Sequence, residues 1–183
     1  MESLGIAGAW KFVAPAHRDE RGLFREWFKA PDAAAALGYE FPLAQANLSI
    51  SQRGVVRGIH FSIAPQGQAK WVTCASGAVW DVIVDVRAGS PTFGTWVAVE
   101  LRAEAGDAVL IAPGLGHGFA AISEQATLAY LLSSPYAPDF EFGVHPLDPA
   151  LAITWPTDAP ILSQKDATAP NLADLPAHQQ PIA

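Results

Sequence analysis

Turn formers interrupt this chain too often for long helices. Fifteen glycines and fifteen prolines punctuate 183 residues every few positions, a spacing that suits many short strands joined by turns. Between the turns the side chains alternate with period two. In 45–51 (QANLSIS), Gln45, Asn47, Ser49 and Ser51 share one face, while Ala46, Leu48 and Ile50 share the other. In 78–87 (AVWDVIVDVR), Ala78, Trp80, Val82, Val84 and Val86 lie opposite Asp81 and Asp85. Further strands are expected at 69–75, 95–101, 107–112 and 126–132. A short helix fits 31–37, with Pro31 at its start and Gly38 as its stop. The proline-rich segment 167–183 reads as a surface wrap or frayed tail. The expectation is one all-β domain over 1–183, a jelly-roll barrel with minor helices and a polar lumen able to bind something.

Composition narrows the function classes. Half of the residues are hydrophobic and 16% are charged, as in a globular chain rather than a disordered one. A net charge of −7 argues against nucleic acid or an anionic membrane as partner, since both are held by basic patches. No apolar run reaches the roughly 20 residues that span a bilayer. The opening MESLGIAGAW lacks a basic segment and a long apolar core, and Cys74 is the lone cysteine, so a reducing, cytoplasmic location is expected.

Few residues are left to carry chemistry. His145 lies in a proline-flanked loop and His178 in the tail, whereas His60 and His117 sit beside glycines next to strands. Metal-binding barrels commonly use a His-x-His pair and a nearby carboxylate. After His60 the next histidine is His117, and no carboxylate occurs before Asp81. One histidine per strand makes a poor metal site, so neither metal nor cofactor is expected. Cys74, inside an apolar strand, reads as packing. Serine-hydrolase, phosphate-loop and dinucleotide-binding motifs are all absent from the sequence. A base, a cation and a phenol remain: His60, Lys70 and Tyr130. Each has a plainer reading as well, namely a structural histidine, a solvated edge-strand lysine and a core tyrosine.

Several segments in order carry a resemblance. They are Arg18-Asp19-Glu20-Arg21-Gly22-Leu23-Phe24, Gln45-Ala46-Asn47-Leu48-Ser49, Arg57-Gly58-Ile59-His60-Phe61, and Gln68-Ala69-Lys70. Ser90-Pro91-Thr92-Phe93-Gly94, Gly116-His117-Gly118-Phe119, Tyr136-Ala137-Pro138, Trp155-Pro156 and Ser163-Gln164-Lys165-Asp166 follow. From about Arg18 to Asn171 the chain resembles the dTDP-4-dehydrorhamnose 3,5-epimerase family. That resemblance implies a cupin-type barrel, usually a homodimer, acting without metal on a dTDP-linked 4-keto-6-deoxyhexose. It implies that His60 is the base, Asp166 its orienting carboxylate, Lys70 the cation beside the enolate oxygen and Tyr130 the acid on the far face. Arg21 and Arg57 would hold the diphosphate, and His117 would line the sugar pocket. Phe24, Glu26, Gln45, Asn47, Tyr136, Glu141 and Lys165 would border nucleotide or sugar, with Arg21, Phe24 or Glu26 reaching the partner's site.

The chain departs from the family pattern at Phe61, Ser62, Trp71, Ala112 and Leu131-Leu132-Ser133-Ser134-Pro135. These departures cluster around Lys70, Tyr130 and Tyr136. They set inversion at C3 or C5 alone beside inversion at both carbons. A 4-keto-sugar isomerase, a metal-dependent cupin enzyme and a non-catalytic sugar-nucleotide binder are the alternatives from other classes.

Overall fold

The computed structural model describes residues 1–65 and 67–183. Two antiparallel sheets face each other. The first has the order β1-β2-β10-β7-β12-β5, from Glu2–Ser3, Ala9–Phe12, Ala108–Ile111, Lys70–Ser76, Gln125–Leu132 and Gln45–Gln52. The second has the order β13-β6-β11-β8-β9, from Glu141–Gly143, Val56–Ser62, Leu115–Ala121, Ala78–Asp85 and Trp96–Arg102. A separate hairpin, β3 (Ala16–Asp19) and β4 (Gly22–Arg25), pairs only with itself. The architecture is the expected all-β jelly-roll barrel.

The core has three layers. Between the sheets, Val72, Cys74, Val79, Ile83, Val109, Phe119 and Leu128 pack together. On the outer face of the first sheet, Phe12, Trp71 and Leu110 are covered by Phe41 and by helix α1 (Ala30–Leu37) through Ala33. That helix ends as its sequence suggests: Gly38 adopts φ 79°, and its N–H caps Ala34 O. On the outer face of the second sheet, Ile59, Phe61, Val82 and Val84 lie under Val144, Leu151, Leu172 and Leu175. The last residues continue across this sheet, with Ala88 N donating to Pro181 O (2.7 Å) and Ala183 N to Ala88 O (3.2 Å).

Both faces of most central strands are therefore buried, those of β8 included. Its continuous apolar face, Val82 and Val84, points away from the lumen into the outer layer. The mixed face points inward, with Val79 and Ile83 in the inter-sheet core. The expected strands are all present, with limits shifted by one or two residues; the largest shift is at β8, which stops at Asp85 because Asp85 opens a turn. The lumen is polar at one end only, the other end being filled by the inter-sheet core.

Candidate active site

The polar end of the barrel is a cavity of about 480 Å³ between the sheets. From the first sheet it is lined by Gln45, Asn47 and Ser49 on β5, Lys70 on β7 and Tyr130 on β12. The second sheet supplies Arg57 and His60 on β6, His117 on β11 and Glu141 on β13, and Gln68 and Tyr136 close the rim. Tyr130 faces Asn47 across the β12–β5 ladder, so the polar face of β5 looks into the cavity. Its other face is open: Leu48 is 71% and Ile50 60% exposed.

Arg57 and His60 share the cavity although an odd spacing of three should send them to opposite faces. A slip in the ladder resolves this. His60 pairs with His117 and Arg57 with Phe119, so three steps along β6 match two along β11. One extra residue in β6 turns both side chains inward. The strands approach closely there: a Cβ at Gly58 would lie 2.5 Å from Gly118 Cα, and Gly58 adopts φ +120°. Glycine at 58 and 118 is what the crossing requires.

His60 Nε2 lies 2.6 Å from Asp166 Oδ1. Asp166 is buried on the single-turn α2 (Gln164–Ala167), where its N–H donates to Ser163 Oγ at 3.1 Å. Burial raises the Asp166 carboxyl, but the hydrogen bond and charge of His60, with Ser163 and the Gly58 N–H, hold it below its ordinary value. With Nε2 occupied, Nδ1 is the nitrogen left for a ligand. Lys70 Nζ lies 3.4 Å from His60 O. Burial lowers its pKa to about 8, against the pull of Glu141 and Asp81. Tyr130 is pushed well above the usual phenol range, chiefly by burial. The phenol therefore stays protonated at neutral pH, and the same shift makes it a weaker acid.

His117 Nε2 lies 2.8 Å from Asp81 Oδ2, with both side chains buried. The imidazole stands edge-on to Tyr130 at 6.0 Å. Arg57 is held toward β5 by Nε to Ser51 Oγ (3.0 Å) and Nη2 to Ile50 O (3.3 Å). Tyr136 N donates to Gln45 Oε1 at 2.9 Å, and Gln45 Nε2 to Asn47 Oδ1 at 2.9 Å. Cys74 packs in the core, and burial lifts its thiol to about 11. Among the described residues, no three His, Cys, Asp or Glu side chains converge as a metal ion would need, and no helix is long and apolar enough to cross a membrane.

Five sequence-expected residues do not line this cavity in the single chain: Asp166, joined to it through His60, and four others. Lys165 borders a smaller cavity behind His60, with Asp166 and Glu141. Arg21, Phe24 and Glu26 belong to the β3–β4 arm or just after it, and line no pocket with His60. Arg21 pairs with Asp19 at 2.5 Å, Glu26 with Lys29 at 2.8 Å, and Phe24 is 66% exposed. Among the described residues the arm pairs with neither sheet. At its base, Arg25 Nη2 donates to Glu104 O (3.0 Å). Conversely, Gln68 and Asp81 were not expected as site residues. Gln68 could have been suspected from its position two before Lys70, on the same face. For Asp81 the alternation marked only the polar face of its strand, with nothing to set it apart from Asp85.

The sequence model of the family described as dTDP-4-dehydrorhamnose 3,5-epimerase matches residues 3–174. The chain is 53% identical over 174 residues to a dTDP-4-dehydrorhamnose 3-epimerase of Streptomyces niveus, covering 95% of this chain and 84% of that one. It is 48% identical over 176 residues to a dTDP-4-dehydrorhamnose 3,5-epimerase of Streptomyces griseus, covering 96% and 88%. It superposes at a TM-score of 0.94 on ChmJ, a 3'-monoepimerase from Streptomyces bikiniensis solved with dTDP-quinovose, at 47% identity and covering 100% and 93%.

Proposed function

The chain belongs to the dTDP-4-dehydrorhamnose 3,5-epimerase family, and from that premise we propose how this isomerase works: it inverts C3, and then C5, of a dTDP-4-keto-6-deoxyhexose without metal. The observation that carries this reading is a base and an acid on facing sheets of one cavity, His60 with Asp166 on the second sheet and Tyr130 on the first.

The C4 ketone acidifies the adjacent C–H bonds. His60 Nδ1 takes the proton from C3, and the C–H electron pair moves into the C3–C4 bond while the carbonyl pair moves onto oxygen. Asp166 accepts from Nε2–H, fixes the tautomer and stabilises the imidazolium. Lys70 donates to the enolate oxygen, a preorganised contribution of about 3 kcal/mol. Tyr130 then protonates C3 from the opposite face as the carbonyl re-forms. Arg57 binds the diphosphate with its forked donors. His117, Gln45, Asn47, Tyr136, Glu141 and Lys165 border the sugar and nucleotide.

The protein is read as a cytoplasmic homodimer. Its β3–β4 arm would complete the partner's cavity with Arg21, Phe24 or Glu26, and the open apolar face of β5 would be covered. Support comes from the arm's exposure and from Leu48 and Ile50. Full activity from a monomer, measured by sizing and assay together, would defeat the shared site.

Incubation with dTDP-4-keto-6-deoxyglucose in D₂O, followed by NMR, tests the reaction. Deuterium at C3 and C5 is expected; no label at either carbon defeats the epimerase reading. Relatives of similar identity carry names of either specificity, so inversion at C3 alone stands as the second reading, and label at C3 only would establish it. His60→Ala is expected to cut exchange about 10³-fold or more while dTDP still binds. Surviving exchange would show that another group is the base.

A further inference from the structure

One buried carboxylate in the barrel, Asp81, has no part in these proton transfers. It is 1% exposed, stands on β8 at a position directly paired with Phe119, and reaches His117 Nε2 through Oδ2 at 2.8 Å. Its other oxygen, Oδ1, is fully occluded and has no hydrogen-bond partner among the described residues. His117 is 5% exposed and lines the cavity. Its Nδ1 has no partner among the described residues and is not fully occluded, on a side chain that lines the cavity. A carboxylate on one imidazole nitrogen fixes which nitrogen carries the proton and leaves the other as an acceptor.

We propose that Asp81 is a positioning residue of the epimerase site: it holds the His117 imidazole with Nε2–H bound and Nδ1 offered to a hydroxyl of the hexose, and with Glu141 it supplies the negative charge that balances Lys70. The inference rests on the epimerase reading. Lys70 is a buried cation that shares its cavity with His60 and Arg57 on β6, Glu141 on β13, His117 on β11, Tyr130 on β12 and Tyr136 at the rim, and that feels Asp81 on β8. Only Glu141 and Asp81 among these are carboxylates, and both pull Lys70 toward its charged form against burial. The cavity thus pairs a donor for the ketone oxygen, Lys70, with an acceptor for a hydroxyl, His117. One carboxylate behind both sets their opposite roles.

The test begins with the unaltered enzyme. Nitrogen-15 NMR of its histidines should show His117 protonated at Nε2 and bare at Nδ1; the reverse tautomer overturns the proposal. Asp81→Asn, nearly isosteric, is expected to lower kcat by about 10- to 100-fold, the range seen when a carboxylate that orients a histidine is lost, with KM changing much less. The alkaline limb of its pH–kcat profile should move to lower pH, because Lys70 loses one of its two counter-charges. A lower thermal midpoint with an unmoved limb would mark a structural role and overturn the proposal. If Asp81→Asn does not fold, the tautomer in the unaltered enzyme decides. No deuterium incorporation by the unaltered enzyme would remove the epimerase reading itself; incorporation together with wild-type kinetics in Asp81→Asn would remove this inference alone.

Discussion

Asp81 and Asp85 stand four residues apart on the same inward face of β8, and their surroundings are opposite in kind. Asp85 is saturated. Its Oδ1 accepts from Arg87 N (3.1 Å) and Nε (2.9 Å), and its Oδ2 from Arg87 Nη2 (2.8 Å), Ser90 Oγ (2.5 Å) and Thr92 Oγ1 (2.6 Å). Arg87 Nη2 also reaches Ala7 O at 2.9 Å, tying the N-terminal loop to the turn after β8. Burial alone would raise the Asp85 carboxyl, but these hydrogen bonds outweigh it and hold the group well below the carboxylate range. Among the described residues Asp81 has one hydrogen-bond partner, His117, and one oxygen with none. A fully satisfied buried charge locks a fold in place, whereas a partly satisfied one holds a neighbour in a chosen state at some cost in stability. One strand carries both uses.

The contrast breaks first at Asp85. Asp85→Asn leaves the Arg87 guanidinium without its counter-charge, and is expected to cost about 3–5 kcal/mol of folding stability in urea titration. Exchange per folded molecule should be unchanged. A loss below about 1 kcal/mol would mean that the network is ornamental. Ser90→Ala removes the short hydrogen bond to the charged Asp85 Oδ2, along with longer ones to Thr92, and should cost about 2 kcal/mol by the same measurement.

Acid sharpens the same contrast. Asp85 has a depressed carboxyl in the fold, so its stabilisation is complete above the unfolded carboxyl's pKa and is lost as pH falls through the folded one. Urea titrations from about pH 5 downward should show the wild type losing stability faster than Asp85→Asn. Parallel curves would show that Asp85 is not the group responsible.

The smallest effect concerns Lys70, whose sign is reversed. The fold lowers its pKa from 10.5 to about 8. Between those values the unfolded chain binds the proton more tightly, so stability rises with pH across that window. Below it the fold carries the cost of a buried ammonium. Lys70→Met should therefore gain about 1 kcal/mol at pH 7 while losing activity, and the gain should vanish above pH 10.5. A destabilised Lys70→Met would show that the ammonium holds the fold together rather than waiting for a ligand.

What the sequence showed, and what it hid, follows from the range of the forces involved. The alternation on β5 was readable because its two faces differ in kind, Gln45, Asn47 and Ser49 toward the cavity and Leu48 and Ile50 away from it. The stop at Gly38 was readable because a left-handed cap is a local requirement. The pairing of His60 with Asp166 came through the family resemblance; no local pattern links residues 106 apart. On β8 alternation identified the strand and its two faces but not what covers the apolar one, since Leu172 and Leu175 arrive from far along the chain to bury it. The β3–β4 arm was legible as residues and not as a place, because its contacts within one chain are few.

The slip between β6 and β11 also bears on protein engineering. A designer transplanting this site into another two-sheet barrel would begin by copying side chains at matching strand positions. On a regular ladder that recipe sends Arg57 to the outside as soon as His60 is aimed inward. The extra residue in β6 and the bare backbone at Gly58 and Gly118 must travel with the graft. Without them the host would inherit the right letters and only half of the site.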